Sequence, residues 1–209
     1  MSPVKSAASS AATLPDPMPT RDRLVTAASQ LLARHGYPGT GVKAILAAGK
    51  APFGSLYHHF PGGKEELGAA AIAASGEGYR SLVASYFSVG ADPVDATRSF
   101  FEGAARLLEA TGYEDACPLA MVALETANES EPLRAASHTA FESWLSVVHA
   151  CLVAAGVDGH PARELAVELF CAVEGAFLLC RTARSTEALE VTGRAAVASV
   201  AAAVTGGAT

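Results

Sequence analysis

Ser55, Tyr57, His58, His59 and Lys64 fall within one stretch of ten residues and offer hydroxyl, imidazole and ammonium groups. Such groups donate hydrogen bonds to phosphate oxygens and to base edges. Lys43 lies shortly upstream, and Gly54 and Ser55 are small enough to let a helix approach a groove closely. Leu56 and Phe60 are four apart, so both would face inward and fix that helix to its domain. Catalytic patterns are missing: there is no H-E-x-x-H, no G-x-S-x-G, no P-loop and no G-x-G-x-x-G. His58 and His59 are adjacent and point about 100° apart on a helix, so they cannot share one ion as a pair four apart would. Glu65-Glu66 suits a helix N-terminus electrostatically. The residues therefore predict no enzyme, no cofactor and no metal site.

The elements that position these groups are helices. Thr20 can cap a helix with Leu24, Ala28, Leu31, Leu32 and His35 at helical spacing, stopped by Gly36. Thr40 can cap a second, short helix through Val42, Ile45 and Leu46. A third runs from about Pro52 to His59, closed by Pro61-Gly62-Gly63. Two short helices joined by a tight turn form a helix-turn-helix, which lays its second helix in the major groove. Longer helices follow at about 64–87, 92–110, 118–127, 131–155, 161–181 and 186–204. No segment alternates with period two as a strand would.

Composition agrees. The chain has 209 residues; half are apolar and 17% charged, which excludes a wholly disordered polymer. The net charge of −6 hides a split. Residues 20–70 carry six cations against three acids, a net of +3, whereas residues 71–209 carry 8 Arg against 17 acids, a net of −9. A basic end on an acidic body fits a nucleic-acid reader with an attached sensing domain. The four cysteines show no C-x-x-C spacing and read as reduced thiols of a cytoplasmic protein. Residues 1–19 lack an apolar stretch and read as a disordered arm. The longest apolar run, Ala195 to Val204, is about ten residues and too short to span a bilayer, so no membrane partner is expected.

The run Gly54-x-Leu56-Tyr57-x-His59-Phe60, a turn, then Lys64-Glu65-x-Leu67 resembles the tetracycline-repressor (TetR) family of bacterial transcription regulators. His35-Gly36-Tyr37 closes the preceding helix as in that family. Cys117-Pro118-Leu119 and Glu174-Gly175-Ala176 are similar to the branch typified by LmrA and YxaF. The resemblance implies an all-α fold of about nine helices. Residues 20–63 would form the helix-turn-helix DNA-binding domain. Residues 64–209 would form an effector-binding and dimerisation domain, with 64–87 as connecting helix. It further implies that Tyr57 and Lys64 contact phosphates, that Phe53, Gly54 and Ser55 lie nearest the bases, and that Lys43 reaches the backbone or a base edge. His59 could meet a phosphate or be a packing residue. Two positions depart from the family pattern. Lys50 stands where the turn commonly has Gly, and Phe53 stands where a polar residue often begins the base-reading face. Phe53 could touch a thymine methyl or pack on the domain.

By the same resemblance the body would dimerise and enclose a cavity for a small lipophilic effector. Leu165, Leu169, Ala172, Ala176 and Leu179 form a helical stripe, as do residues including Ala196 and Val200; these are the expected interface, with an intramolecular core stripe as the other reading. Candidate cavity residues are Phe100, Phe101, Leu107, Cys117, Met121, Trp144, Val148 and Phe177, with Glu125, His138 or Glu174 as polar anchors. The expected function is a ligand-responsive repressor that binds a palindromic DNA operator as a homodimer and is released by its effector. The alternative is a helical small-molecule-binding protein with weak or lost DNA binding.

Overall fold

The computed structural model describes residues 18–114 and 117–206. The arm expected over residues 1–19 lies outside the described residues, apart from Met18 and Pro19. Among the described residues the chain forms nine helices and no strand. They are α1 (Thr20–Gly39), α2 (Val42–Ala48), α3 (Ser55–His59), α4 (Gly63–Tyr86), α5 (Pro93–Ala110), α6 (Pro118–Thr126), α7 (Glu131–Ala154), α8 (Gly159–Ala183) and α9 (Glu187–Gly206).

The first three helices pack around a small core of Leu24, Ala28, Leu32, Ile45, Leu46, Leu56 and Phe60, all buried. Their ends differ from the sequence reading because side chains make other bonds. Thr20 is the first helical residue, not the cap, and its Oγ1 accepts from the Arg23 guanidinium at 3.1 Å. Thr40 donates back to the Gly36 carbonyl at 2.7 Å, which leaves the N-cap of α2 to Gly41. The third helix starts later than expected, at Ser55, because Ser55 N–H bonds the Pro52 carbonyl and closes a turn. Arg23 stitches the helix-turn-helix together. Its Nε donates to the Gly49 carbonyl at 3.0 Å, and one of its Nη groups donates to the carbonyl of Met18 at 2.7 Å. Lys50, in the same turn, has φ 48°, the left-handed region that costs any residue with a Cβ.

Gly36 also breaks α1 as expected, with φ 65° and ψ −176°, and a last turn containing Pro38 follows the kink. The backbone angle requires glycine, and a Cβ here would stand 2.3 Å from the Glu125 carboxylate and push it off its place.

The body is built on the pair α4 and α7. Gly76 of α4 lets α7 approach so closely that a Cβ there would lie 2.6 Å from the Ala140 Cβ. The Trp144 indole N–H donates to the Gly76 carbonyl at 2.8 Å, and both groups are buried. Helices α8 and α9 pack against each other and enclose the body's far side with α5. Asp92 caps α5 by accepting from Val94 N–H and Asp95 N–H, and Ser130 caps α7 through Leu133 N–H. The sequence reading weighed only the apolar run 195–204, not the whole helix that carries it. As one continuous 20-residue helix, α9 is long and apolar enough by length and composition, with a mean hydropathy of 1.3. Gly193 sits inside that helix against the Phe101 ring, in keeping with the helix expected over 186–204.

Replacing Gly76 by Val should destabilise the chain by about 2–3 kcal/mol, because the new methyls meet a backbone-anchored Cβ; urea unfolding checks this. Lys50→Gly should do the reverse. Relief of the left-handed strain outweighs the added chain entropy, for a gain of about 0.5–1 kcal/mol in the same assay.

Candidate nucleic-acid interface and effector cavity

Helix α3 has two sides. Leu56 and Phe60 are about 1% exposed and hold it to the domain, as their spacing predicts. The opposite side shows Phe53 at 68% and Tyr57 at 62% exposure, with Gly54 and His58 also exposed and Ser55 half-buried. The open question over Phe53 is thereby decided against packing on the domain. Gly54 has an ordinary negative φ, and a Cβ added to it would meet nothing within 4 Å. Nothing within the chain requires glycine at this point. His59 is half-buried, and its ring stands edge-on to His58 at 4.8 Å. Lys43 is exposed on α2, and Lys50 is exposed in the turn.

Lys64 is placed differently from the sequence expectation of a phosphate contact. Its ammonium donates to the Tyr37 carbonyl at 2.7 Å and lies 4.0 Å from the centre of the Tyr37 ring. Burial lowers its pKa, and the nearby Glu125 carboxylate opposes that shift. The start of α4 is occupied as well: Glu66 reaches back and accepts from Gly62 N–H at 2.8 Å. So Lys64 first serves as a joint between α4 and the end of α1.

Glu125 completes that joint. It was expected in the cavity, but α6 turns it the other way, where its carboxylate accepts from Tyr37 N–H at 2.6 Å. Tyr37 is thus bound at its N–H from α6 and at its carbonyl from α4. Close by, the Ser130 hydroxyl donates to Glu65 at 2.5 Å and ties the start of α7 to the start of α4.

The body encloses a cavity of about 320 Å³, within the range of small-molecule sites. Phe100, Leu107, Cys117, Trp144 and Phe177 lie on its wall, as does Glu174. Five expected residues do not. Phe101 turns to α9 and packs on Gly193. Val148 is wholly buried one turn beyond Trp144, and Met121 is half-buried on α6 away from the wall. His138 is exposed, and Glu125 belongs to the Tyr37 joint. The wall contributed by α4, namely Tyr79, Leu82, Val83 and Tyr86, was missed in the sequence, although Tyr79, Val83 and Tyr86 keep helical spacing. Phe170 and Val173 of α8 were missed too.

Burial raises the Glu174 pKa, opposed by a hydrogen bond from the Cys117 thiol; burial and the neighbouring Glu174 raise that thiol well above its ordinary value. An acid whose folded-state pKa is raised loses stability for the fold as pH climbs above its unfolded value. The cavity without a ligand therefore holds a carboxyl that resists ionisation.

The expected dimer stripe also needs correction. Leu169, Ala176, Ala196 and Val200 are buried inside the chain, because α8 and α9 use that face on each other and on the core. Leu165 and Ala172 are half-buried, and only Leu179 is exposed. The uncovered face of α8 carries Cys171, Gly175, Leu178 and Thr182, and that of α9 carries Val191, Ala195, Ala198 and Ala202.

Known proteins agree with this arrangement. Residues 24–71 match the family described as bacterial regulatory proteins of the tetR family. Residues 93–195 match the C-terminal domain of LmrA/YxaF-like transcriptional regulators. The HTH-type transcriptional regulator LmrA of Bacillus subtilis is 34% identical over 170 residues, covering 81% of this chain and 90% of LmrA. YxaF of the same organism, an HTH-type transcriptional regulator, is 34% identical over 78% of this chain and 85% of its own. Among solved structures, regulatory protein TetR from Rhodobacter sphaeroides superimposes with a TM-score of 0.75 at 25% identity, covering 86% of this chain and 98% of its own. The basic reader on an acidic helical body thus belongs to the TetR family of bacterial transcriptional regulators, with an LmrA/YxaF-like C-terminal domain.

Proposed function

We propose that this chain is a repressor that binds an inverted-repeat DNA operator as a two-fold dimer and leaves it when a small effector fills the cavity. Ligand-responsive repression is typical of the family. The observation that carries the DNA reading is the outer face of α3. Phe53 and Tyr57 stand exposed on either side of a glycine that the fold itself does not require. Phe53 offers an apolar edge to a thymine methyl, Ser55 a hydroxyl to a base edge, and Tyr57 and Lys43 donors to phosphates. His59 adds a donor at the margin. Lys64 holds the reader to the body and has further N–H groups to offer a phosphate beside the groove. The site of action is the cytoplasm, where the DNA lies.

A single five-residue helix makes few base contacts, so two copies on a palindrome are the natural arrangement. The uncovered faces of α8 and α9 suit a second copy of the chain. They are apolar or small-residued, and only 22% of the apolar window of α9 is buried within one chain. Leu178 is 65% exposed and Gly175 beside it would allow close approach of two helices.

The cavity and the reader are joined by two routes. Helix α4 carries Tyr79 and Tyr86 on the cavity wall and Lys64 at the reader. Helix α6 has Cys117 on the wall as its N-cap and Glu125 on Tyr37 at its other end. An effector that fits the cavity better when these helices shift would move both holds on Tyr37. Linkage then requires that DNA and effector weaken one another's binding equally.

Two outcomes test this reading. Affinity for a DNA duplex, followed by fluorescence anisotropy against salt, should fall steeply, and Lys43→Ala should reduce the slope of log K against log salt by about 1. Gly54→Leu should weaken DNA binding by at least about tenfold while changing unfolding free energy by less than about 1 kcal/mol. A ligand-binding protein without DNA binding would show neither effect. For the dimer face, Leu178→Arg should convert dimer to monomer in sedimentation, since it places a charge at the centre of the apolar contact.

A further inference from the structure

The charge class of the effector can be read from the cavity wall; this inference rests on the reading of the cavity as the effector site. Aromatic rings come in from four helices. Tyr79 and Trp144 lie 5.6 Å apart, Phe100 stands 5.7 Å from Tyr86, and Phe170 lies 6.1 Å from Phe100 and 5.8 Å from Trp144. Each ring face carries partial negative charge, which attracts a cation. The Trp144 N–H is already spent on the Gly76 carbonyl, so its ring, not its donor, is what the cavity receives.

Into this apolar space α8 brings one acid, Glu174. The other titratable or charged groups on the wall are Tyr79 and Tyr86 from α4, Arg106 from α5 and Cys117 from α6; α7 contributes none. Arg106 is exposed at the rim and paired with Glu102 at 3.6 Å, so no fixed cation is spent on Glu174. The Cys117 thiol donates a hydrogen bond to Glu174, but a thiol is a weak donor, and a carboxyl is among the costliest groups to bury without a charged partner. A neutral aromatic ligand would need only a hydroxyl or an amide in that place. A cation turns the cost into attraction, and the net −9 of the body draws cations toward it.

We propose that the effector is an organic cation with an aromatic body, seated with its charge against Glu174 and over the surrounding rings. Burial raises the Glu174 pKa, which favours the neutral carboxyl. Where that carboxyl is protonated, it releases its proton to solvent as the cation binds, and the resulting carboxylate pairs with the ligand cation. Affinity rises with pH through the raised titration range of Glu174 and levels off once that group is ionised without the ligand.

The test uses the full chain and two probes of similar shape, (naphthalen-2-ylmethyl)trimethylammonium and neutral naphthalen-2-ylmethanol. Calorimetry in buffers of different ionisation enthalpy counts the protons released. The expected result is at least about tenfold tighter binding of the cation, with proton release that disappears at higher pH. Glu174→Gln should weaken the cation by about 30-fold or more and change the alcohol by less than about threefold, which also reports that the cavity still folds. Glu174→Asp should restore part of the cation affinity. Equal binding of the two probes, no binding of the cation, or indifference of the cation to Glu174→Gln would each overturn the assignment. A DNA-binding arm keeps the two readings apart. If a tightly bound probe leaves DNA affinity unchanged, the effector-site reading itself fails; if the alcohol releases DNA as well as the cation does, only the charge class fails.

Discussion

The two hydrogen bonds at Tyr37 set the position of the reader on its body. The chain kinks at Gly36, which leaves the N–H of Tyr37 to a side chain, while its carbonyl accepts the capping Thr40 N–H at 3.3 Å and has a second lone pair to offer. A carboxylate from α6 takes the N–H and an ammonium from α4 takes the carbonyl. Both bonds are charge-assisted, the class that is about twice as strong as neutral pairs. Gly36 makes this possible twice over, through its positive φ and through the space it leaves for Glu125. The end of α1 is therefore the point where two body helices hold one reader helix.

Distance gives this joint its functional weight. From Lys64 to Tyr79 is fifteen residues of α4, or roughly 22 Å of helix, so a small tilt at the cavity becomes a larger displacement at the reader. Helix α6 is short by comparison, with the cavity at Cys117 and Tyr37 at Glu125. Helix α4 packs closely on α7 at Gly76, between its reader end and its cavity end. Packed helices of this kind move between discrete arrangements instead of deforming smoothly. That is the physical basis for reading the cavity and the DNA face as two linked sites.

Much of the reader was legible because its signals are local. Gly36, the Gly49–Pro52 turn and Pro61-Gly62-Gly63 punctuate three helices, and the Leu56/Phe60 spacing told inside from outside. The departures have one cause. Glu125 lies 88 residues from Tyr37, and no pattern along the chain announces that pairing. Lys64 was read as a phosphate contact and Arg23 entered only the net charge of residues 20–70, yet both are engaged by carbonyls of the chain. In α8, periodicity found an apolar stripe but could not say which of two apolar faces the chain would cover with its own α9. Leu169 and Ala176 went inward, and Cys171 and Leu178 stayed outside. The same limit hid the α4 wall of the cavity, since a connecting helix and a cavity wall share one spacing.

Hydrogen exchange at the Tyr37 amide, measured with DNA affinity in the wild type and in Glu125→Gln, tests the joint most directly. The Gln side chain keeps the shape and removes the charge. The expected result is faster exchange confined to the end of α1 and the start of α4, together with altered DNA affinity, while the bodies of α7 and α8 keep their protection. Unchanged exchange at Tyr37, or faster exchange with unaltered DNA affinity, would contradict the claim that this junction sets the reader.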